Sequence, residues 1–169
     1  KRLDINGRAR AVTEAEPLST TGLDLGGLYE AHAEGAKISK SGTKALHMVL
    51  QFPTELVNGD RADMMLFHAR TFAQSIFGSS AVFADRVDRD EKSRHVVDLF
   101  IAPKYDKQTK RQTQRAISTT RHLKALAVAK GRAPTLRGQG QALQDAWHEY
   151  MRDQMRLDVE EPVGPVVAT

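Results

Sequence analysis

Five side chains capable of ligating a metal or moving a proton fall within one eleven-residue stretch: Asp88, Asp90, Glu91, His95 and Asp98. Carboxylate oxygens are hard donors and only one imidazole is offered, so the set favours Mg2+ or Mn2+ over Zn2+. The competing reading is a charged hairpin turn in which Arg86, Arg89, Lys92 and Arg94 pair with the acids. A calcium loop starting at Asp88 is excluded, because its sixth position is Ser93 rather than Gly and its twelfth is Leu99 rather than Glu. His148-Glu149 is followed at position 152 by Arg152 instead of a second His, which excludes a zincin helix. Residues 131–140 contain no GK[ST], which excludes a P-loop.

A second concentration of chemistry is cationic. Lys104, Lys107, Lys110, Arg111, Arg115, Arg121, Lys124, Lys130, Arg132 and Arg137 stand against Asp106 alone, a net charge of +9 over residues 104–137. The whole chain carries only +4, so the remainder is −5. Such segregation points to a polyanionic partner, most simply nucleic acid, and competes with a solvated basic face that binds nothing.

These groups must be positioned by one domain of ordinary size, since the chain has 169 residues. With 40% hydrophobic and 27% charged residues it is neither disordered nor a membrane protein. No apolar run approaches the roughly 18 residues of a membrane-spanning helix. The absence of cysteine excludes disulfides and thiolate chemistry and suits a cytoplasmic location. The chain begins at Lys1 without a charged-then-apolar leader, so no signal peptide is expected, and a few native residues or a tag are expected to be missing.

Periodicity predicts a short helix over 24–35, with Leu25, Leu28, Ala31 and His32 on one side and Gly35 as its stop. An apolar strand follows over 43–52, closed by Pro53. Asn58-Gly59 reads as a turn and Asp60 as the cap of a helix reaching Phe77, with Met65, Ala69, Phe72, Ala73 and Ile76 as its apolar face and Gly78 as its end. Strands at 80–87 and 95–102 are separated by a polar hairpin loop. The basic segment then holds a helix around 120–129 and a Gly/Arg/Pro loop over 130–140. A final helix carries Leu143, Ala146, Trp147, Tyr150 and Met151 as its buried stripe, and a short strand is expected at 157–159. The pattern predicts an α+β fold: a mostly antiparallel sheet with helices packed on it, occupying residues 1–160, with 161–169 a loose tail.

The stretch 71–103, TFAQSIFGSSAVFADRVDRDEKSRHVVDLFIAP, resembles the heart of the MobV (Pre/Mob) plasmid mobilisation relaxases, which belong to the HUH endonucleases. There a helix ending in Gly leads into a strand, a His-x-Asp-Glu-x-(Thr/Ser)-Pro-His-x-His block and an apolar strand closed by Pro. Residues 138–159, GQGQALQDAWHEYMRDQMRLDV, are similar to the family's C-terminal helix and strand. Asp90, Glu91, Ser93 and His95 match the block; Asp88 stands at its first histidine and Arg94 at its proline. The final histidine falls on Val97 counted from the left and on Asp98 counted back from Pro103. This one-residue excess predicts a β-bulge within 95–98 that brings His95 and Asp98 to one side of the strand. The alternative leaves Asp98 on the outer face, solvated or paired with a base.

The resemblance implies a two- or three-layer HUH-like sandwich and a DNA strand-nicking relaxase acting on single-stranded DNA at an origin of transfer. It implies a Mn2+ or Mg2+ ion held by His95, Asp98, Asp88 and Asp90. His47, in the 43–52 strand, reads either as a fourth ligand on the same face or as a hydrogen-bonded core residue. Tyr29 and Glu91 are the catalytic candidates, His32 is a weaker nucleophile candidate, and the nucleophile also has room upstream of Lys1. Lys104, Lys107, Lys110, Arg111, Arg115, Arg121, Lys124, Arg132 and Arg137 would hold the phosphates, and Tyr105, in the basic loop after Pro103, reads equally as a stacking partner for a base or as a catalytic residue. Two other readings stand beside this one: a relaxase-fold DNA-binding or replication-initiation protein without nicking chemistry, and an unrelated α+β interaction domain.

Overall fold

The structure, a computed structural model, describes residues 17–40, 42–53, 61–89 and 95–157. Its elements in chain order are α1 (Leu25–Ala33), β1 (Leu46–Gln51), α2 (Ala62–Phe77), β2 (Val82–Val87), β3 (Val96–Ile101), β4 (Lys104–Gln108), β5 (Thr113–Ile117), α3 (Arg121–Ala129) and α4 (Leu136–Asp153). The class is α+β, as the periodicity predicts. β3 is the middle strand of a three-stranded antiparallel sheet in the order β1-β3-β2, and β4 and β5 form a separate antiparallel ribbon. None of the helices among the described residues is long and apolar enough to cross a membrane.

Alternation along the strands sorts the sheet into two faces. Met48 and Leu50 of β1, Val97, Leu99 and Ile101 of β3 and Val87 of β2 point inward. They pack against Met65, Leu66, Ala69, Phe72, Ala73 and Phe77 of α2, Leu123 of α3, and Trp147 and Met151 of α4. Trp147 sits edge-on to Phe52 and Phe72, and its indole N–H donates to the Gln51 carbonyl at 3.1 Å, fixing α4 to the end of β1. The opposite face carries a smaller cluster of Phe83, Ala84, Ala102 and Ile117, covered by Leu28, Tyr29 and Ala33 of α1.

Helix ends follow local chemistry. The Asp24 carboxylate accepts the Gly27 N–H, and Gly78, at φ +99°, ends α2 in a conformation that side chains disfavour. The Asn58-Gly59 turn and the Asp60 cap lie outside the described residues, as do the 161–169 tail and residues 158–159 of the expected last strand. Leu157 belongs to no strand.

Two expectations need correction. The 130–140 loop is shorter than predicted, because α4 begins at Leu136 and runs through both glycines. Thr135 caps it by accepting the Gly138 N–H at 3.1 Å, and a Cβ at Gly138 would lie 1.8 Å from the Ala133 carbonyl oxygen. That glycine therefore marks a close backbone approach rather than a loop. The segment after Pro103, expected as a basic loop, is the β4–β5 ribbon. Its turn is closed by Thr109 N–H to Gln112 O at 2.9 Å, and its strands alternate polar with polar, which hides the period from any reading of hydrophobicity.

One carboxylate lies inside this framework. The Asp85 side chain is fully buried on the α2 side of β2. Its Oδ1 accepts the Thr20 N–H at 2.7 Å and the Ser19 hydroxyl at 3.1 Å; its Oδ2 accepts Arg70 Nη1 at 2.9 Å and the Thr20 hydroxyl. Removing it would leave a partly buried guanidinium and three further donors unmatched. Asp85→Ala is thus expected to cost about 3 kcal/mol or more in urea denaturation, the range for breaking a buried pair from one side. A loss below 1 kcal/mol would show that water replaces these bonds.

A half-buried histidine on α2 gives a pH signature. His68 Nδ1 lies 2.9 Å from the Tyr150 hydroxyl, and burial pushes the imidazole below its ordinary range and the phenol above its own. The folded chain therefore takes up this proton less readily than the unfolded chain, whose imidazole titrates near 6.5. Stability present above that pH is lost as pH falls through the depressed folded value. Thermal melts at pH 7.5 and 5.0 should show a smaller loss of Tm in His68→Gln than in the wild type.

Candidate functional site

On the outer face of the sheet, cross-strand registry sets Asp98 of β3 between Val49 of β1 and Arg86 of β2, and Phe100 opposite His47. His47 Nε2 lies 2.6 Å from Asp98 Oδ1. The imidazole is stacked on the Phe100 ring, with centroids 4.6 Å apart and planes 7° from parallel. Arg86 Nη2 lies 3.6 Å from Asp98 Oδ2, and its Nε lies 3.7 Å from Asp88 Oδ1. The His47 side chain is 51% exposed while Asp98 is only 14% exposed, so a shielded carboxylate holds an open imidazole.

This geometry corrects the expected bulge. β3 pairs with β1 without a break from Val96 to Ile101, and Asp98 alternates regularly to the side opposite Val97 and Leu99. The carboxylate is brought to His47 and Arg86, the arrangement in which Asp98 is an outer-face residue with a basic partner. The register shift lies instead in β2, between Val82 and Ala84, where Phe83 is the extra residue. Phe83 and Ala84 consequently both join the outer-face cluster. His95 stands one residue before β3, and its carbonyl accepts the Phe52 N–H at 2.8 Å. Asp90 and Glu91 lie outside the described residues, as do Lys92, Ser93 and Arg94.

The nucleophile candidates lie at the other side of Phe100. Tyr29 is edge-on to Phe83 at 5.4 Å, and its hydroxyl donates to the Lys44 carbonyl at 3.3 Å. Burial raises this phenol above its ordinary range, which disfavours the phenolate an attack requires. His32 stacks on Phe83, and its Nε2 lies 2.8 Å from the Ala102 carbonyl, an imidazole N–H anchoring α1 to the end of β3.

The basic segment divides by environment. Lys107, Lys110 and Arg111 are exposed around the tip of the ribbon, and Lys124 and Arg137 are exposed on α3 and α4; Lys104 is half-buried at the ribbon's base. Arg115 is bonded to Asp106 at 2.9 Å, and the Arg121 guanidinium lies 4.7 Å above the Tyr105 ring. Arg132 grips Asp145 through Nε and Nη2 at 2.9 and 3.1 Å, and Lys130 pairs with Glu149. These last two cations fasten the turn before α4 to the helix itself.

Among the described residues, no three His, Asp or Glu side chains converge as a metal shell. His47 and Asp98 supply one nitrogen and one carboxylate, and the guanidinium of Arg86 lies against both Asp98 and Asp88. A divalent ion there would compete with a cation the protein already provides, so the described side chains fit an internal cation rather than a bound one. Sequence reading found His47 only as an alternative ligand and took Arg86 only as a counter-ion in the hairpin. The readable signal was the alternation His47-Val49-Gln51, which sets the imidazole on the face away from Met48 and Leu50. No family model, curated protein or solved structure matches the chain.

Proposed function

We propose that this chain is a relaxase-like domain that binds single-stranded DNA at the origin of transfer of a plasmid or other mobile element, in the cytoplasm. The observation that carries the reading is the placement of the cationic ribbon. β3 leads through Ala102 and Pro103 directly into β4, so the exposed Lys107, Lys110 and Arg111 lie on the ribbon that continues the strand carrying Phe100 and Asp98. Sequence-independent phosphate contacts from such a ribbon would lay a strand across the open half of the sheet.

A second reading adds nicking, on the resemblance of the 88–98 block, whose last histidine falls on Asp98 when counted back from Pro103; that carboxylate lies 2.6 Å from His47 Nε2. In that reading the strand is opened by transesterification. The Tyr29 oxygen forms a bond to phosphorus, the bond from phosphorus to the 3′ oxygen breaks, and the leaving oxygen takes the proton. The resemblance would assign Mn2+ or Mg2+ to Asp88, Asp90, His95 and Asp98 and catalysis to Glu91. Without the bulge expected within 95–98, however, and with Arg86 against Asp88 and Asp98, the described side chains do not fit that ion.

Fluorescence anisotropy of a labelled single-stranded oligonucleotide, titrated across salt concentrations, tests the first reading. Lys107→Ala, Lys110→Ala and Arg111→Ala combined should weaken binding to every sequence. The salt slope should become shallower by up to about 2, at roughly 0.7 per lost phosphate contact. Binding should persist in EDTA. Equal affinity and slope in the triple variant would remove the reading. Conversion of supercoiled plasmid to open circles with Mn2+, abolished in His95→Ala, would establish the second; no conversion by the wild type would eliminate it.

A further inference from the structure

The sheet's outer face is covered unevenly. α1 lays Leu28, Tyr29 and Ala33 over Phe83 and Ala84, on the β2 side, and Phe100 at the middle is partly buried in that cluster. Among the described residues β1 is an edge strand whose outer face is open: the His47 side chain is 51% exposed and Val49 is 55% exposed. One face of the His47 ring rests on Phe100, and its edge is held by Asp98 at 2.6 Å. A half-exposed imidazole, flat on an aromatic ring and locked in orientation, offers its second face to solvent. An apolar valine lies beside it, and the cationic ribbon rises from the neighbouring end of β3.

We infer that His47, backed by Phe100, is a stacking platform for one unpaired base of a bound single strand of DNA, with Val49 beside the base and the ribbon cations on the flanking phosphates. Stacking needs a flat π-surface of fixed orientation and no base-specific hydrogen bond, and the Asp98 bond supplies the fixing. Charge complementarity selects the occupant. An apolar patch with a histidine could receive many flat groups, but a chain of phosphates is what the exposed Lys107, Lys110 and Arg111, on the ribbon that continues the strand carrying Phe100, would draw towards it. In this arrangement His47 contacts the base, while Asp98 is a positioning residue and Phe100 the support beneath. The inference rests on the single-strand reading and names the base subsite within it.

The test uses the full chain and single-stranded oligodeoxynucleotides carrying one 5-iodouracil, moved along the sequence. Irradiation should cross-link the iodouracil to His47 or Phe100, mapped by mass spectrometry. His47→Ala should weaken oligonucleotide binding by about fivefold to a hundredfold, the range for losing one stacked base. His47→Phe should restore most of the affinity, because it keeps the ring and abandons the Asp98 bond and any ligating nitrogen. Two results overturn the inference while leaving the single-strand reading intact: binding by His47→Ala equal to the wild type, when the ribbon triple variant is weakened, or cross-links confined to other residues. Failure of His47→Phe to restore binding would likewise overturn stacking as the role of the ring. Tighter binding of the matching RNA oligonucleotide would overturn DNA as the occupant. A wild type that binds no oligonucleotide removes this inference together with the reading beneath it.

Discussion

A carboxylate sealed under a sheet must be fully hydrogen-bonded, and much of this architecture is arranged to meet that demand at Asp85. Its donors come from two directions in the chain. Ser19 and Thr20 descend from the segment before α1, and Arg70 reaches across from α2. The Asp85 N–H in turn donates to the Thr21 hydroxyl at 3.2 Å, and Leu18 exchanges both backbone bonds with Val87, closing the free edge of β2. The segment leading to α1 is thereby fixed to the sheet, and α1 has a defined starting point from which to cross the outer face.

The bulge at Phe83 decides what α1 meets there. An extra residue in β2 turns Phe83 to the same side as Ala84, and the two give the helix an apolar seat next to Phe100 and Ala102. The rings of Tyr29 and His32 close on Phe83, each with centroids 5.4 Å away, while His47 closes on Phe100 from the other side. A row of aromatic groups thus crosses the face from the covered half to the open half. Tyr29 and His32 are partly buried in that row, and the His47 side chain, at its β1 end, is 51% exposed.

The cations are distributed by a similar logic. Those close to acidic or aromatic neighbours are spent on structure: Arg115 on Asp106, Arg121 on Tyr105, Arg132 on Asp145 and Lys130 on Glu149. The ribbon is further tied to the chain after α1, where the Lys37 N–H donates to the Arg115 carbonyl at 2.8 Å and the Ile117 N–H to the Lys37 carbonyl at 3.1 Å. Its exposed tip is therefore carried on a rigid stem, and a cationic turn held in this way can orient a polyanion instead of merely attracting one.

The sequence by itself determined the elements whose apolar period is strong. α2, β2, β3 and the Trp147 stripe of α4 stand where the spacing of Met65, Phe72, Val87, Leu99 and Met151 puts them, since burying a continuous face leaves one orientation. It determined the antiparallel pairing of β2 with β3 and the uneven placement of charge. It could not show the β4–β5 ribbon, whose residues carry no apolar alternation, or the start of α4, which depends on a backbone contact between Gly138 and Ala133. The candidate site was legible as a set of residue types and not as a set of partners. Asp98 stood out as a carboxylate in an apolar strand, but its partner was fixed by registry with β1, fifty-one positions away in the chain, and the bulge thought to lie beside it belonged to β2. Pairing across strands is a property of the folded sheet, because a shift of one residue exchanges its faces, and only tertiary structure decides which side chains then meet.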